Sequence, residues 1–291
     1  MVRIIPVYFP VFISRLTLQV CICSFVLLTV LVSCTNAPQS DSATKPGSNA
    51  IIGGQAATGT DPVTLSTVAI VTAKNDILKE QCTGTLISAN LVLTAAHCLE
   101  GLRPTNVWIH FGENLPRPFY LNQLTQVKDF ITHPEFAPVY DAEFPATELN
   151  DIALITLKTD APAGYSPVPI QTNTSPHVGD KLLLAGYGHT SDVNPIRAKN
   201  LNYARVQVSR LWNSLIVLDQ TAKSGACNGD SGGPAYLETD QGLVVVGVTR
   251  GAHNMSPNCH GFVEYTNATF FKVFIRESAR QMEAVEPQFT E

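Results

Sequence analysis

The chain has 291 residues, 45% of them hydrophobic and 15% charged, with a formal net charge of -5. That length suits one large or two modest globular domains and is too great for a small disulfide-stapled scaffold. No basic run is present to neutralise phosphates, so nucleic acid is not an expected partner.

At the N-terminus, Arg3 and Arg15 precede an apolar run from Leu16 to Val32 that is interrupted mainly by Thr17, Gln19, Ser24 and Thr29 and leads into Leu31-Val32-Ser33-Cys34. A positive region, an apolar core and small residues at the end describe an export signal. The last four residues resemble a bacterial lipobox. Residues 1–34 are therefore expected to be a signal peptide ending at a lipidated Cys34, which would tie the protein to the cell envelope. An uncleaved anchor spanning the bilayer, as in animal membrane-bound proteins, and an ordinary signal peptide are the alternatives. Residues 35–50 contain no large apolar side chain and cannot bury enough surface to order themselves, so they read as a flexible tether or propeptide.

From Ile51 onward the pattern changes. Short apolar runs at 67–72, 84–92, 91–94, 107–111, 152–157, 181–185, 204–208 and 243–249 alternate with glycine, proline and polar turn residues, which predicts an all-β domain, a sandwich or a barrel. Near the end, Phe270, Phe271, Phe274, Ile275, Ala279 and Met282 recur at helical spacing and predict a helix at about 269–284 packed on the body.

Three short segments carry chemistry. In Leu93-Thr94-Ala95-Ala96-His97-Cys98 a histidine follows an apolar strand, and histidine is the side chain whose pKa best suits a general base. Asn150-Asp151-Ile152-Ala153-Leu154 places a carboxylate at the head of an apolar run, where it could hold an imidazole in one tautomer. Cys227-Asn228-Gly229-Asp230-Ser231-Gly232-Gly233-Pro234 surrounds a serine with glycines, which leaves its hydroxyl exposed and backbone N–H groups free to meet a substrate oxygen. The order His, Asp, Ser is one of several found in catalytic triads.

With Ile51-Ile52-Gly53-Gly54 and Gly186-Tyr187-Gly188 added, these segments make the chain resemble the chymotrypsin-like (trypsin-like) serine peptidases from about Ile51 to about Ile275. The resemblance implies two six-stranded antiparallel β-barrels meeting at a cleft. The Pro/Gly-rich stretch 161–167 would join a first barrel at about 51–160 to a second at about 168–268, with the C-terminal helix completing a peptidase domain at 51–291. It also implies a serine endopeptidase that needs no metal or organic cofactor and acts on proteins or peptides. Ser231 would be the nucleophile, His97 the base and Asp151 its orienting acid, with the N–H groups of Gly229 and Ser231 as the oxyanion hole. The N-terminus of Ile51, freed by an activating protease, would pair with Asp230.

The seven cysteines fall into a leader group, Cys21, Cys23 and Cys34, and a body group of four that spacing alone allows to pair in three ways. The resemblance implies Cys82 with Cys98 and Cys227 with Cys259. Zinc would need ligand pairs at close spacing, which are lacking, and disulfides point to an oxidising compartment outside the cytosol. For specificity, the resemblance puts Gly225 at the base of the substrate pocket with Ala226 beside it. A neutral base argues against cleavage after Lys or Arg, whose buried charge would lack a partner. Thr249, Arg250 and Gly251 would form a wall. Thr249 would support Asp151, and Arg250 would be either a solvated strand-end charge or a contact for an acidic substrate residue. Gly261 is a further pocket candidate. The other histidines, including His110, are expected at the surface or in turns. A peptidase-like binding protein without catalysis is the alternative reading, although no triad residue is replaced.

Overall fold

The computed structural model describes residues 51–74, 77–139, 147–191, 197–252 and 258–290. The expected signal peptide of residues 1–34, with Cys34, and the expected tether of residues 35–50 lie outside the described residues.

Two closed barrels of six antiparallel strands account for most of the structure, followed by a single helix. Around the first barrel, neighbours run Thr67–Lys74, Ile77–Ser88, Leu91–Thr94, Ala153–Leu157, Thr125–Thr132 and Val107–His110, which pairs back with Thr67–Lys74. Around the second they run Asn202–Trp212, Lys181–Gly186, Pro234–Thr239, Gly242–Ala252, Phe262–Asn267 and Leu215–Asp219. Pairs such as Val208 with Leu218 close this ring. A two-residue strand, Gln55–Ala56, lies along Tyr203 and Asn202 outside it.

Alternation decides which side of each strand faces inward. In Asn202–Trp212, Ala204, Val206 and Val208 are buried while Arg205 and Gln207 are exposed, the period of two that fixes register when one face is buried. Leu91–Thr94 and Ala153–Leu157 are buried at every position. The apolar run at 84–92 proves to be two strands, turned at Ala89–Asn90, so that Leu86 pairs with Val92.

The helix spans Lys272–Gln281 after a turn of 3-10 helix at Ala268–Phe271, which Asn267 caps by accepting the Thr269 N–H at 3.2 Å. Phe271, Ile275, Ala279 and Met282 are buried. Phe270 is 62% exposed, because the 3-10 turn rotates it off the apolar stripe.

Two tyrosines couple the barrels. The hydroxyl of Tyr236 lies 2.8 Å from Ser66 Oγ and 3.0 Å from Thr67 Oγ1, and that of Tyr187 donates to Gly112 O at 2.9 Å. Both rings are buried, so each brings a large apolar area to the junction with its polar end satisfied. This junction sets how accurately side chains of different barrels can meet.

Candidate active site

His97 follows the strand Leu91–Thr94 and opens a short 3-10 turn, His97–Leu99. The Cys82–Cys98 disulfide, with Cα atoms 6.1 Å apart, ties that turn to the neighbouring strand. Asp151 stands just before Ala153–Leu157, where Asn150 adopts φ +53°, a conformation asparagine tolerates better than most residues. The strands leading to these residues are direct neighbours, with Thr94 opposite Ala153, so their ends converge.

Asp151 is fully buried, and its carboxylate takes two hydrogen bonds from one residue. Oδ1 accepts the His97 backbone N–H at 2.9 Å, and Oδ2 lies 2.7 Å from His97 Nδ1. The second contact puts the Nδ1 proton toward the acid and leaves Nε2 as the basic nitrogen. The Asp151 carbonyl accepts from Thr266 Oγ1 of the second barrel at 2.9 Å. His97 Nε2 also lies 3.7 Å from Cys98 Sγ. Sulfurs bonded to each other carry no thiolate, so His97 with Cys82 and Cys98 is not a donor set for a metal.

The serine loop leans on the first barrel. Thr83 N donates to Ser231 O at 2.9 Å and Thr83 Oγ1 to Gly229 O at 3.0 Å. The N–H groups of Gly229 and Ser231 have no acceptor among the described residues. Gly229 has φ +98°, and a Cβ there would come within 2.9 Å of Gly188 Cα. Glycine is required on both counts.

Asp230 points the other way, into the second barrel. It is fully buried, and its carboxylate accepts from Gly188 N and Cys227 N at 2.8 Å each. A Cβ on Gly188 would sit 2.5 Å from the Asp230 carboxyl carbon, which explains the glycines around Tyr187. Burial pushes the Asp230 carboxyl up to about 7, against the lowering effect of the Cys227 and Gly188 N–H groups. Ile51 is also fully buried and packs in the second barrel's core with Leu182, Leu184 and Ala226. Its φ is +56°, an outlier for a β-branched residue. Ile52 bridges Gly225, whose N–H donates to Ile52 O at 2.9 Å.

Beside Ser231 opens a cavity of about 130 Å³, walled by Ala226, Thr249, Gly251, Gly261 and Val263 and floored by Gln220. The Cys227–Cys259 disulfide, with Cα atoms 5.3 Å apart, joins its two sides. Three expectations need correction. Gly225 does not line the cavity, because the Gln220 side chain lies over it. Arg250 is neither solvated nor turned to the cavity. It is 6% exposed and pairs with the equally buried Glu264, Nη1 to Oε2, at 3.1 Å. Thr249 Oγ1 donates to Gly233 O at 2.9 Å rather than to the Asp151 carboxylate.

Gln220 and Glu264 were not signalled by any motif. Each reaches its position from a strand or strand end distant in sequence, and the only trace of Glu264 is its register opposite Gly251. His110 also departs from expectation. It is 6% exposed, Nε2 bonds Asn114 O at 2.9 Å, and burial lowers its pKa.

Two six-stranded barrels, an acid–histidine pair at 2.7 Å in the first and a glycine-rich serine loop in the second accompany a family match that makes the chain a serine endopeptidase. The trypsin family model matches residues 51–273, and the chain belongs to that family. It is 29% identical over 186 residues to fibrinolytic enzyme isozyme C of Lumbricus rubellus, covering 58% of this chain and 74% of the relative. It is likewise 29% identical over 224 residues to Kallikrein-1 of Mus musculus, covering 69% and 80%. Kallikrein-8 of Mus musculus is 28% identical over 169 residues, covering 54% and 62%, so the match spans less than two thirds of that protein.

Proposed function

We propose that the protein is an exported endopeptidase, made as an inactive precursor, that cleaves peptide bonds after uncharged residues through an acyl-enzyme formed on Ser231. The observation that supports this reading is the short pair between His97 Nδ1 and Asp151 at 2.7 Å, together with a glycine-rich loop whose Ser231 carbonyl is hydrogen-bonded to Thr83 of the same barrel as that pair. His97 Nε2 takes the Ser231 proton as Oγ attacks the carbonyl carbon, then returns it to the leaving amine. Water repeats the sequence on the ester and releases the acid. The N–H groups of Gly229 and Ser231 stabilise the negative oxygen of each tetrahedral intermediate.

Activation is proposed to be a cut between Ala50 and Ile51. Asp230 is a buried carboxylate held only by backbone N–H groups, and a buried charge calls for a counter-charge. The ammonium created at Ile51 would supply it. The cut would also free the strained φ of Ile51, a strain of about 1–3 kcal/mol. Ser48-Asn49-Ala50 precedes the bond, so the activating enzyme is not expected to be one specific for Lys or Arg. If Cys34 carries lipid, the same cut releases the enzyme from the membrane.

Phosphonylation tests the reading. A reactive phosphonate should label wild-type active protein at Ser231 alone, and Ser231→Ala should lose both label and peptidase activity while keeping its thermal unfolding transition. Peptidase activity that survives in Ser231→Ala would remove Ser231 as nucleophile. A folded wild type that neither labels nor cleaves would favour the binding-protein alternative.

A further inference from the structure

The floor of the cavity comes from outside the serine loop. Gln220 directly follows the strand Leu215–Asp219, is 2% exposed, and is held by its own N–H, which donates to Gly261 O at 2.8 Å. Its side chain is held three more times. Oε1 accepts the Ala226 N–H at 2.7 Å, and Nε2 donates to Ala226 O and Cys259 O at 3.0 Å each. Both hydrogens of the amide nitrogen are thereby used, so the group is fixed and has no donor left for a substrate.

Gln220 also occupies the space above Gly225. A Cβ on Gly225 would meet Gln220 Cδ at 2.2 Å and Oε1 at 2.3 Å, so a side chain at 225 and the glutamine cannot coexist. The cavity, of about 130 Å³, is somewhat smaller than the roughly 150 Å³ apolar cavity that admits benzene.

We propose that Gln220 is a specificity-determining residue that floors the pocket and restricts the substrate residue before the scissile bond to short, uncharged side chains, from alanine to leucine in size. The inference rests on the assignment of Ser231 as nucleophile. A bulky aromatic side chain is expected to fit this space less readily than a short aliphatic one. An ammonium entering it meets no carboxylate from the described residues, since none of those lining the cavity is acidic. Differences of one or two methylenes in such a pocket change kcat/KM by about 10- to 200-fold.

The test is kcat/KM of the active species on peptides that differ only at that residue, as Ala, Val, Leu, Phe or Lys, for the wild type, Gln220→Ala and Gln220→Met. The wild type should favour Ala, Val or Leu over Phe and Lys by at least about tenfold. Gln220→Ala should raise the Phe-to-Ala ratio at least about tenfold without creating cleavage after Lys. Gln220→Met keeps the bulk without the hydrogen bonds and should keep the wild-type order at lower rates. A wild type that favours Phe or Lys overturns the proposal even if neither variant folds. A folded Gln220→Ala with an unchanged ratio, or a Gln220→Met that favours Phe, also overturns it. Phosphonate titration in parallel separates the two readings. Labelled protein with an unchanged ratio places the failure on Gln220, and cleavage without label on Ser231.

Discussion

The first barrel holds its reacting pair complete in the uncut chain, whereas the second holds its key carboxylate incomplete. Asp151 is fully buried but answered by two hydrogen bonds from His97, at 2.7 and 2.9 Å. Asp230 is equally buried, takes two backbone N–H groups, and has its carboxyl pushed up to about 7. The base is therefore set by strand pairing within one barrel. Under the proposed activation, the oxyanion loop, next to Asp230 in sequence, would depend on the ammonium that a cut before Ile51 supplies. Control by cleavage is thus expected to act on the second barrel, leaving the first as built.

The largest effect should come from Ser231→Ala, which removes the group both barrels serve. By analogy with other serine peptidases, turnover should fall about 10⁴- to 10⁶-fold, measured on a peptide substrate with unchanged thermal unfolding. Next, Asp230→Asn should lower kcat/KM of the cut enzyme about 10²- to 10³-fold. Removing one partner of a buried pair costs about 3–5 kcal/mol, and that pair holds the oxyanion loop. Wild-type activity in this variant would break the contrast between the barrels.

A third test concerns Arg250 and Glu264. Glu264→Ala should destabilise the protein by about 3–5 kcal/mol, because it strips a buried guanidinium of its carboxylate. Replacing both residues, as Arg250→Met with Glu264→Leu, should be close to neutral. Urea unfolding of the single and double variants measures this. Equal losses in both would show that the pair acts through packing instead of charge.

The smallest effect sharpens the comparison by pH. In the precursor the Asp230 carboxyl is raised from 3.8 to about 7, so folding favours its protonated form. Its contribution to stability is full below 3.8 and is lost as pH rises through about 7, with a slope of at most about 1.4 kcal/mol per pH unit. Uncut chain carrying Ser231→Ala should therefore lose stability between about pH 4 and 7 more steeply than the same chain with Asp230→Asn as well. Indistinguishable slopes would remove the buried carboxylate from the explanation. Cleavage should move the window to alkaline pH with the same sign, since an α-amino group of ordinary pKa about 7.7–8.0, raised by pairing with the Asp230 carboxylate, contributes stability that is full below that value and lost as pH rises through the raised one. Activity should then persist through neutral pH and decline as alkaline conditions deprotonate the amine.

What was legible in the sequence follows the same division. His97 and Ser231 could be read because the chemistry needs adjacent residues. A cysteine must anchor the turn beside the histidine, and glycines must give the serine loop its φ values and its close approach to Gly188. An all-β domain followed from strands such as Leu91–Thr94 and Lys181–Gly186, whose inner residues are continuously apolar, while the pair of barrels came only with the family resemblance. Thr125–Thr132 gave little signal, since Val127 is its only buried residue. The pocket was read poorly because its floor is not local. Gln220 matters through contacts with Ala226 and Cys259, and Arg250 through Glu264, fourteen residues away. A residue's neighbours in sequence say nothing about such partners until the register of the barrel is known.

The most direct measurement is the N-terminal sequence of the molecules that react with a phosphonate probe. Full-length protein should be allowed to mature, labelled, isolated by its label and sequenced from its first residue, with the modified residue mapped in the same sample. Labelled chains should begin at Ile51 and carry the label on Ser231, while chains that still contain residues upstream of Ile51 stay unlabelled. Labelled chains retaining Ala50, or label at any residue other than Ser231, would contradict it.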